Sequence, residues 1–193
     1  MDQRPLSPSS PSSSSPSSVS SSPSSSSPSS SSIKTAEQNV GEFMTWESSA
    51  YGLKINYPSN WQVEKGKKPS STLVIFKTPQ VNPSDTLFES VGISSYNIPT
   101  NKTLEQVMQE GINDLEKKHR DFTLIGIVPT VLAGRQAHRI VYDAGGKRFM
   151  GVVMIEKNKV CQVMYAAEPS KYDRYIPIVQ KMLDSFEITA NKW

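Results

Sequence analysis

From Tyr51 onward the chain alternates apolar and polar residues. Tyr51, Leu53, Ile55 and Tyr57 are separated by polar neighbours, the period of a half-buried strand. Pro58-Ser-Asn60 reads as a turn, after which Trp61 and Val63 resume the alternation and are expected to point inward. Thr72-Leu-Val-Ile-Phe-Lys77 is apolar at successive positions, which predicts a strand covered on both faces. Glu89 to Ile98 forms a further strand with Val91, Ile93 and Ser95 on one face. Gly66 to Ser71 and Thr78 to Thr86 read as loops.

At Thr103 the period changes. Thr103-Leu-Glu-Gln106 is a capping box, in which the Thr and Gln side chains satisfy orphan N–H groups reciprocally. Leu104, Val107, Met108, Gly111, Ile112 and Leu115 then recur at helical spacing. Lys117, Lys118 and Arg120 complement the negative end of that helix. A meander follows: Phe122 to Leu132, bent at Pro129; Arg135 to Tyr142; and a hairpin of Phe149 to Glu156 with Lys159 to Ala167. Ala133-Gly134, Ala144-Gly145-Gly146 and Lys157-Asn158 are the turns. Tyr172, Tyr175, Ile176, Val179, Met182, Leu183 and Phe186 make the last apolar stripe. Because proline is tolerated only in a first turn, the main helix is expected from Ile176 to Ser185, with 170–175 as a loose turn. Short connections between consecutive strands mean antiparallel pairing. The expected fold class is α+β: one antiparallel β-sheet sandwiched by α-helices.

Composition divides the chain. Of the first 32 residues, 20 are Ser and 6 are Pro. With almost nothing apolar to bury, such a segment cannot offset the entropy of ordering, so 1–41 is expected to be a disordered stalk and lead-in and 42–193 the folded domain. A short strand is expected to end at Phe43 to Trp46. Ser/Pro stalks commonly join an anchor or signal to an exported domain, which gives an extracytoplasmic or cell-surface expectation although no signal peptide is visible. No apolar run is long enough to span a membrane; peripheral association remains compatible.

The net charge of +3 is mild, and its basic clusters, Lys65 to Lys68 and Lys117 to Arg120, fit a solvated loop and a helix end better than a nucleic-acid surface. Cys161 is the single cysteine, so no disulfide can form within the chain, and its apolar run predicts a buried thiol. His138, flanked by Arg135 and Arg139, is the best candidate for chemistry: pointing outward with Asp143 nearby, it would bind an anion or a metal. One histidine without spaced partners makes a poor metal site, and an edge or surface histidine fits better. His119 is expected to close the first helix. Neither GxSxG, CxxC nor calcium-loop spacing occurs, and Gly145-Gly146 is a turn rather than a phosphate loop. Tyr57, Trp61, Tyr172 and Tyr175 would line a groove or, more simply, pack in the core. Asn101-Lys-Thr103 is a glycosylation sequon that matters only in an exported chain.

Three stretches carry a family resemblance: Tyr51-Gly-Leu-Lys-Ile-Asn-Tyr-Pro-Ser-Asn-Trp61, Leu132-Ala-Gly-Arg-Gln-Ala-His-Arg-Ile-Val-Tyr142, and Ala166 to Pro177 running into Met182-Leu-Asp-Ser-Phe-Glu-Ile188. Together, over residues 42–188, they resemble the PsbP-like family, with the PsbP/Mog1 fold, in its stand-alone prokaryotic and archaeal form. The resemblance implies an antiparallel sheet between helices and a non-enzymatic role. Photosynthetic members are extrinsic subunits of photosystem II that support calcium and chloride retention, and Mog1 relatives bind a small GTPase. No residue here maps onto a known metal or GTPase site, so calcium is implied by resemblance alone. The expected function is a non-catalytic, monomeric binding or assembly module with an unidentified protein partner, no catalytic residues and no cofactor. The alternatives are a calcium-linked photosystem II subunit and a small-molecule enzyme using His138.

Overall fold

The computed structural model describes residues 41–67, 70–80 and 88–189. The expected stalk at 1–32, most of the lead-in, Lys68 and much of the loop after Thr78 lie outside the described residues.

Ten strands and two helices follow in the order β1 (Phe43–Ser48), β2 (Leu53–Pro58), β3 (Gln62–Lys65), β4 (Thr72–Lys77), β5 (Ser90–Asn97), α1 (Leu104–Lys118), β6 (Thr123–Leu132), β7 (Arg135–Ala144), β8 (Lys147–Glu156), β9 (Lys159–Ala167), α2 (Tyr172–Asp184) and β10 (Glu187–Ile188). The expected α+β class holds. The strands form two sheets rather than one: a three-stranded sheet ordered β1-β2-β10 and a seven-stranded sheet ordered β3-β4-β5-β9-β8-β7-β6, all pairs antiparallel. The small sheet escapes sequence reading because β10 is two residues long and pairs with β2 from the far end of the domain.

Side chains alternate across the large sheet and feed two cores. On one face, Val74, Phe76, Val91, Ile93, Met150, Val152, Met154, Val163 and Tyr165 pack with Leu53 and Ile55 of β2 and with Ile178, Val179, Met182 and Phe186 around α2. Thus α2 and the small sheet together cover that face. On the other face Val107, Met108 and Ile112 of α1 pack on Ile140, Tyr142 and Val153. The capping box forms as expected: the Gln106 N–H donates to the Thr103 hydroxyl at 3.2 Å and the Thr103 N–H to the Gln106 side chain at 2.9 Å. His119 closes the helix, its N–H donating to the Leu115 carbonyl at 2.9 Å.

Three local expectations are corrected. Val63 is 40% exposed, because β3 is an edge strand with all four residues exposed. In β4 only Val74 and Phe76 are buried, while Leu73 and Ile75 are half-buried, so the strand is covered on one face. The irregularity in β6 falls between Leu124 and Gly126 rather than at Pro129. A proline on an edge strand needs no bend when its missing N–H faces outward.

The last helix starts four residues earlier than expected and carries Pro177 within it. Pro177 removes the N–H that would reach the Asp173 carbonyl, but Asp173 is exposed and water can serve that oxygen. Burial of Tyr172 against the sheet, where the Tyr165 hydroxyl donates to the Tyr172 carbonyl at 3.0 Å, holds the first turn in place.

Replacing Pro177 with Ala restores a helical donor, so Pro177→Ala should raise stability by about 1–2 kcal/mol. That is less than the ~3 kcal/mol propensity difference, since proline also restricts the unfolded chain. Urea denaturation should show a higher midpoint with an unchanged slope.

Candidate functional site

Two features of the large sheet remain open, and both follow from the reach of α1. A helix is about 10 Å across and strands lie ~4.8 Å apart, so a single helix covers only two or three strands. Contacts of α1 fall on β7 and β8. That leaves β9 and β5 on one flank and the edge strand β6 on the other.

On the β9–β5 flank lies a cleft of about 270 Å³. Val107, Met108, Ile112 and Leu115 form its roof; Ile140, Val153 and Met164 belong to its floor; Tyr96, Tyr142 and Gln162 bring polar atoms. Gly111 lines it too, and a Cβ built there meets nothing within 4 Å. The Tyr142 ring is sandwiched, stacked on Phe149 at 5.0 Å and tilted against Phe122 at 5.6 Å. Among the described residues its hydroxyl has only the Met164 sulfur at 4.0 Å as partner, and burial pushes its pKa up to about 12.

On the other flank, β6 pairs with β7 alone. Its sequence, Thr-Leu-Ile-Gly-Ile-Val-Pro-Thr-Val-Leu, holds no charge. Leu124, Ile125, Ile127, Val128 and Val131 are 38–66% exposed, half of the large exposed hydrophobics among the described residues. The two-residue turn Ala133-Gly134, with φ of 50° and 73°, sets Leu132 opposite Arg135. Residues flanking such a turn exchange hydrogen bonds, so by alternation Val131, Pro129 and Ile127 aim their backbone groups at the open edge. Pro129 therefore occupies a position where no ladder bond is lost.

The sequence candidates fare unevenly. His138 lies half-buried on the α1 face of β7, opposite Pro129 and Val153. Arg135, Arg139 and Asp143 are an odd number of residues away and point to the other face, so no cluster forms. Asp143 instead takes a two-point hydrogen bond from Arg148, at 2.8 and 2.9 Å, which holds its carboxyl below the usual range. Arg135 pairs with Glu156 at 2.7 Å, and Arg139 donates to Gln180 at 3.2 Å. The exposed Glu105 carboxyl is lowered first by its own backbone N–H and the Thr103 hydroxyl and only last by the His138 imidazole. Trp61 and Tyr172 are buried in the larger core, with Tyr57 and Tyr175 packed against it, so these aromatics pack as core rather than line a groove. The glycine turn spends its donors on a neighbour: the Gly146 N–H donates to Asp121 at 3.1 Å. Asn101 is exposed ahead of α1. Among the described residues, no three His, Cys, Asp or Glu side chains gather as a metal site, and no helix is long and apolar enough to cross a membrane.

Sequence reasoning missed Glu89, which reads as a polar strand flank and is 4% exposed. The Thr78 hydroxyl donates to it at 3.1 Å, and the Lys171 ammonium lies 3.4 Å from its other oxygen and 3.2 Å from Glu168. Lys171 is the N-cap residue of α2, so this cluster clamps that helix to the start of β5.

Against this geometry, the family model described as PsbP-like protein matches residues 18–188. The chain belongs to the PsbP-like family. The match reaches further toward the N-terminus than the residues carrying the resemblance in the sequence. No curated protein matches the chain. Solved structures similar to this family member include cyanobacterial PsbP (CyanoP) from Synechocystis, at 16% identity and a TM-score of 0.58, covering 77% of this chain and 94% of that one. The Saccharomyces cerevisiae Ran-binding protein Mog1p aligns at 9% identity and a TM-score of 0.55, covering 77% and 96%. A Pseudomonas aeruginosa protein of unknown function aligns at 17% identity and 0.52, covering 73% and 93%. At these identities the likeness establishes the PsbP/Mog1-type fold.

Two measurements check the interior. Cys161 is fully buried, and burial pushes its thiol up to about 12, so the native chain should resist iodoacetamide at neutral to mildly alkaline pH and react once unfolded. Glu89→Ala removes the acceptor of the Thr78 hydroxyl and one partner of Lys171, and should cost roughly 2 kcal/mol in denaturant unfolding; Glu89→Gln, which keeps an acceptor for Thr78, should cost less.

Proposed function

We propose that the chain is a non-catalytic PsbP-like binding module that docks a partner protein through the apolar strip of β6. The observation that carries this reading is the concentration of exposed hydrophobics: five on one uncharged edge strand. Solitary exposed apolar residues are ordinary, whereas a group of them marks an interaction surface. Leu124, Ile127 and Val131 share the α1 face of this edge, opposite Tyr142, Ile140 and Gln136, and Val128, opposite Arg139, extends it onto the other face. The bulge at Leu124/Gly126 and Pro129 interrupt the outward row of backbone groups, which favours side-chain docking over addition of a long partner strand. In this reading the Ser/Pro-rich segment is a tether that gives the domain reach, and the module works outside the cytoplasm, where the exposed Asn101 sequon can be used. The dispersal of His138, Arg139 and Asp143 across two sheet faces supports a role without turnover.

The test is affinity capture with the full chain beside the double variant Val128→Lys/Val131→Lys. Both positions are more than half exposed, so stability should change by no more than about 0.5 kcal/mol. The expected outcome is a partner retained by the native chain and lost by the variant. Identical capture profiles would remove β6 from the interface, and a dimer that the variant dissociates would make the partner a second copy.

A further inference from the structure

The cleft beside α1 is independent of the β6 strip and has its own chemistry. Its walls are mainly apolar, and Asp114 and Lys118 at the rim carry opposite charges, so neither an anion nor a cation is selected. Tyr142 lines it, and among the described residues the hydrogen-bond partner of its hydroxyl is the Met164 thioether at 4.0 Å. A thioether is a weak acceptor, so the hydroxyl keeps the capacity to donate to a stronger one. The Gln162 amide also lines the cleft and makes no hydrogen bond among the described residues. A glycine at 111, in the interior of α1, costs helix stability of about 1 kcal/mol relative to Ala. Gly111 is an exposed part of the cleft's lining, and a Cβ there would enter open space.

We infer that this cleft is a binding site for a small, neutral, largely apolar molecule that presents one hydrogen-bond acceptor, such as a ketone or ester carbonyl, to the Tyr142 hydroxyl. A cavity of ~150 Å³ holds a six-carbon ring. By that scale 270 Å³ suits a ligand of about eleven non-hydrogen atoms. The apolar body packs under Val107, Met108, Ile112 and Leu115, and the carbonyl accepts from Tyr142, with the Gln162 amide as a second donor.

The probe is α-tetralone, a neutral bicyclic ketone of this size, with tetralin as its hydrocarbon counterpart, titrated into the full chain and followed by amide-correlation NMR. The expected result is saturable binding of α-tetralone with a Kd on the order of 0.1 mM, shifts centred on Gly111, Ile112 and Gln162, and tetralin several-fold weaker. Tyr142→Phe should abolish the preference for the ketone. Gly111→Leu fills the cleft while improving helix propensity, so it should fold and bind at least tenfold more weakly. The β6 double variant should bind α-tetralone like the native chain, which separates this site from the partner surface. Unsaturable binding, scattered shifts, or unchanged affinity in Gly111→Leu would overturn the proposal. So would loss of partner capture in Gly111→Leu without tetralone binding by the native chain, since the cleft would then belong to a partner's side chain.

Discussion

Burial of one face of α2 between two sheets is the packing on which the rest of this domain depends. Met182 is fully buried, and Ile178 and Val179 are 1% exposed. They fill space that neither sheet could close alone. With β10 only two residues long, the small sheet is mostly the β1–β2 pair, which is marginal on its own, and β10 follows α2 directly, so the helix fixes where the sheet's last strand is laid down. Ser185 makes the join: its hydroxyl accepts from the Asn56 N–H at 2.9 Å and donates to the Met182 carbonyl at 2.7 Å. At the other end, Lys171 and Glu89 tie the start of the helix to β5. Sequence-distant segments thus meet on one helix, which makes the fold cooperative rather than a stack of local hairpins.

The two faces of the large sheet are consequently unequal. One has a helix and a second sheet over it. The other has α1 alone, too narrow for seven strands, and what it leaves bare differs on each side. Toward β9 and β5 the gap is concave, with Gly111 above and Tyr96, Gln162 and Met164 among its lining. Toward β6 it is an exposed apolar margin. The two lie on opposite flanks of α1, so a binding module has room to use both at once.

Much of this was legible from residue spacing. The capping box at Thr103 and Gln106, the meander from Thr123 to Ala167 and the stripe of α2 all rest on local periodicity, and they formed as read. Pro177 misled because a helix-breaking propensity was set against tertiary packing, and burial of Tyr172 won. Pro129 misled in the opposite sense: it looked like a bend and sits in regular edge strand, while the bulge lies at residues without a breaker's signature. The openness of β6 was not legible at all. The spacing of Leu124, Ile127 and Val131 marks a strand but not its place in the sheet; strand order puts them at the margin, and strand order is a long-range fact. The same holds for the cleft, whose existence depends on which strands α1 lies across, and for Glu89, whose burial comes from Lys171, 82 positions further on.

Pro129 has a consequence for what the domain does when crowded by copies of itself. An uncharged ten-residue edge strand rich in Ile, Leu and Val is the kind of segment that seeds cross-β growth, each molecule templating the next through its main chain. At the middle of β6 the proline withholds one of the outward donors that such templating uses, and the bulge throws the first two apolar residues out of register. The strand can thus stay sticky through its side chains while remaining a poor seed for fibrils.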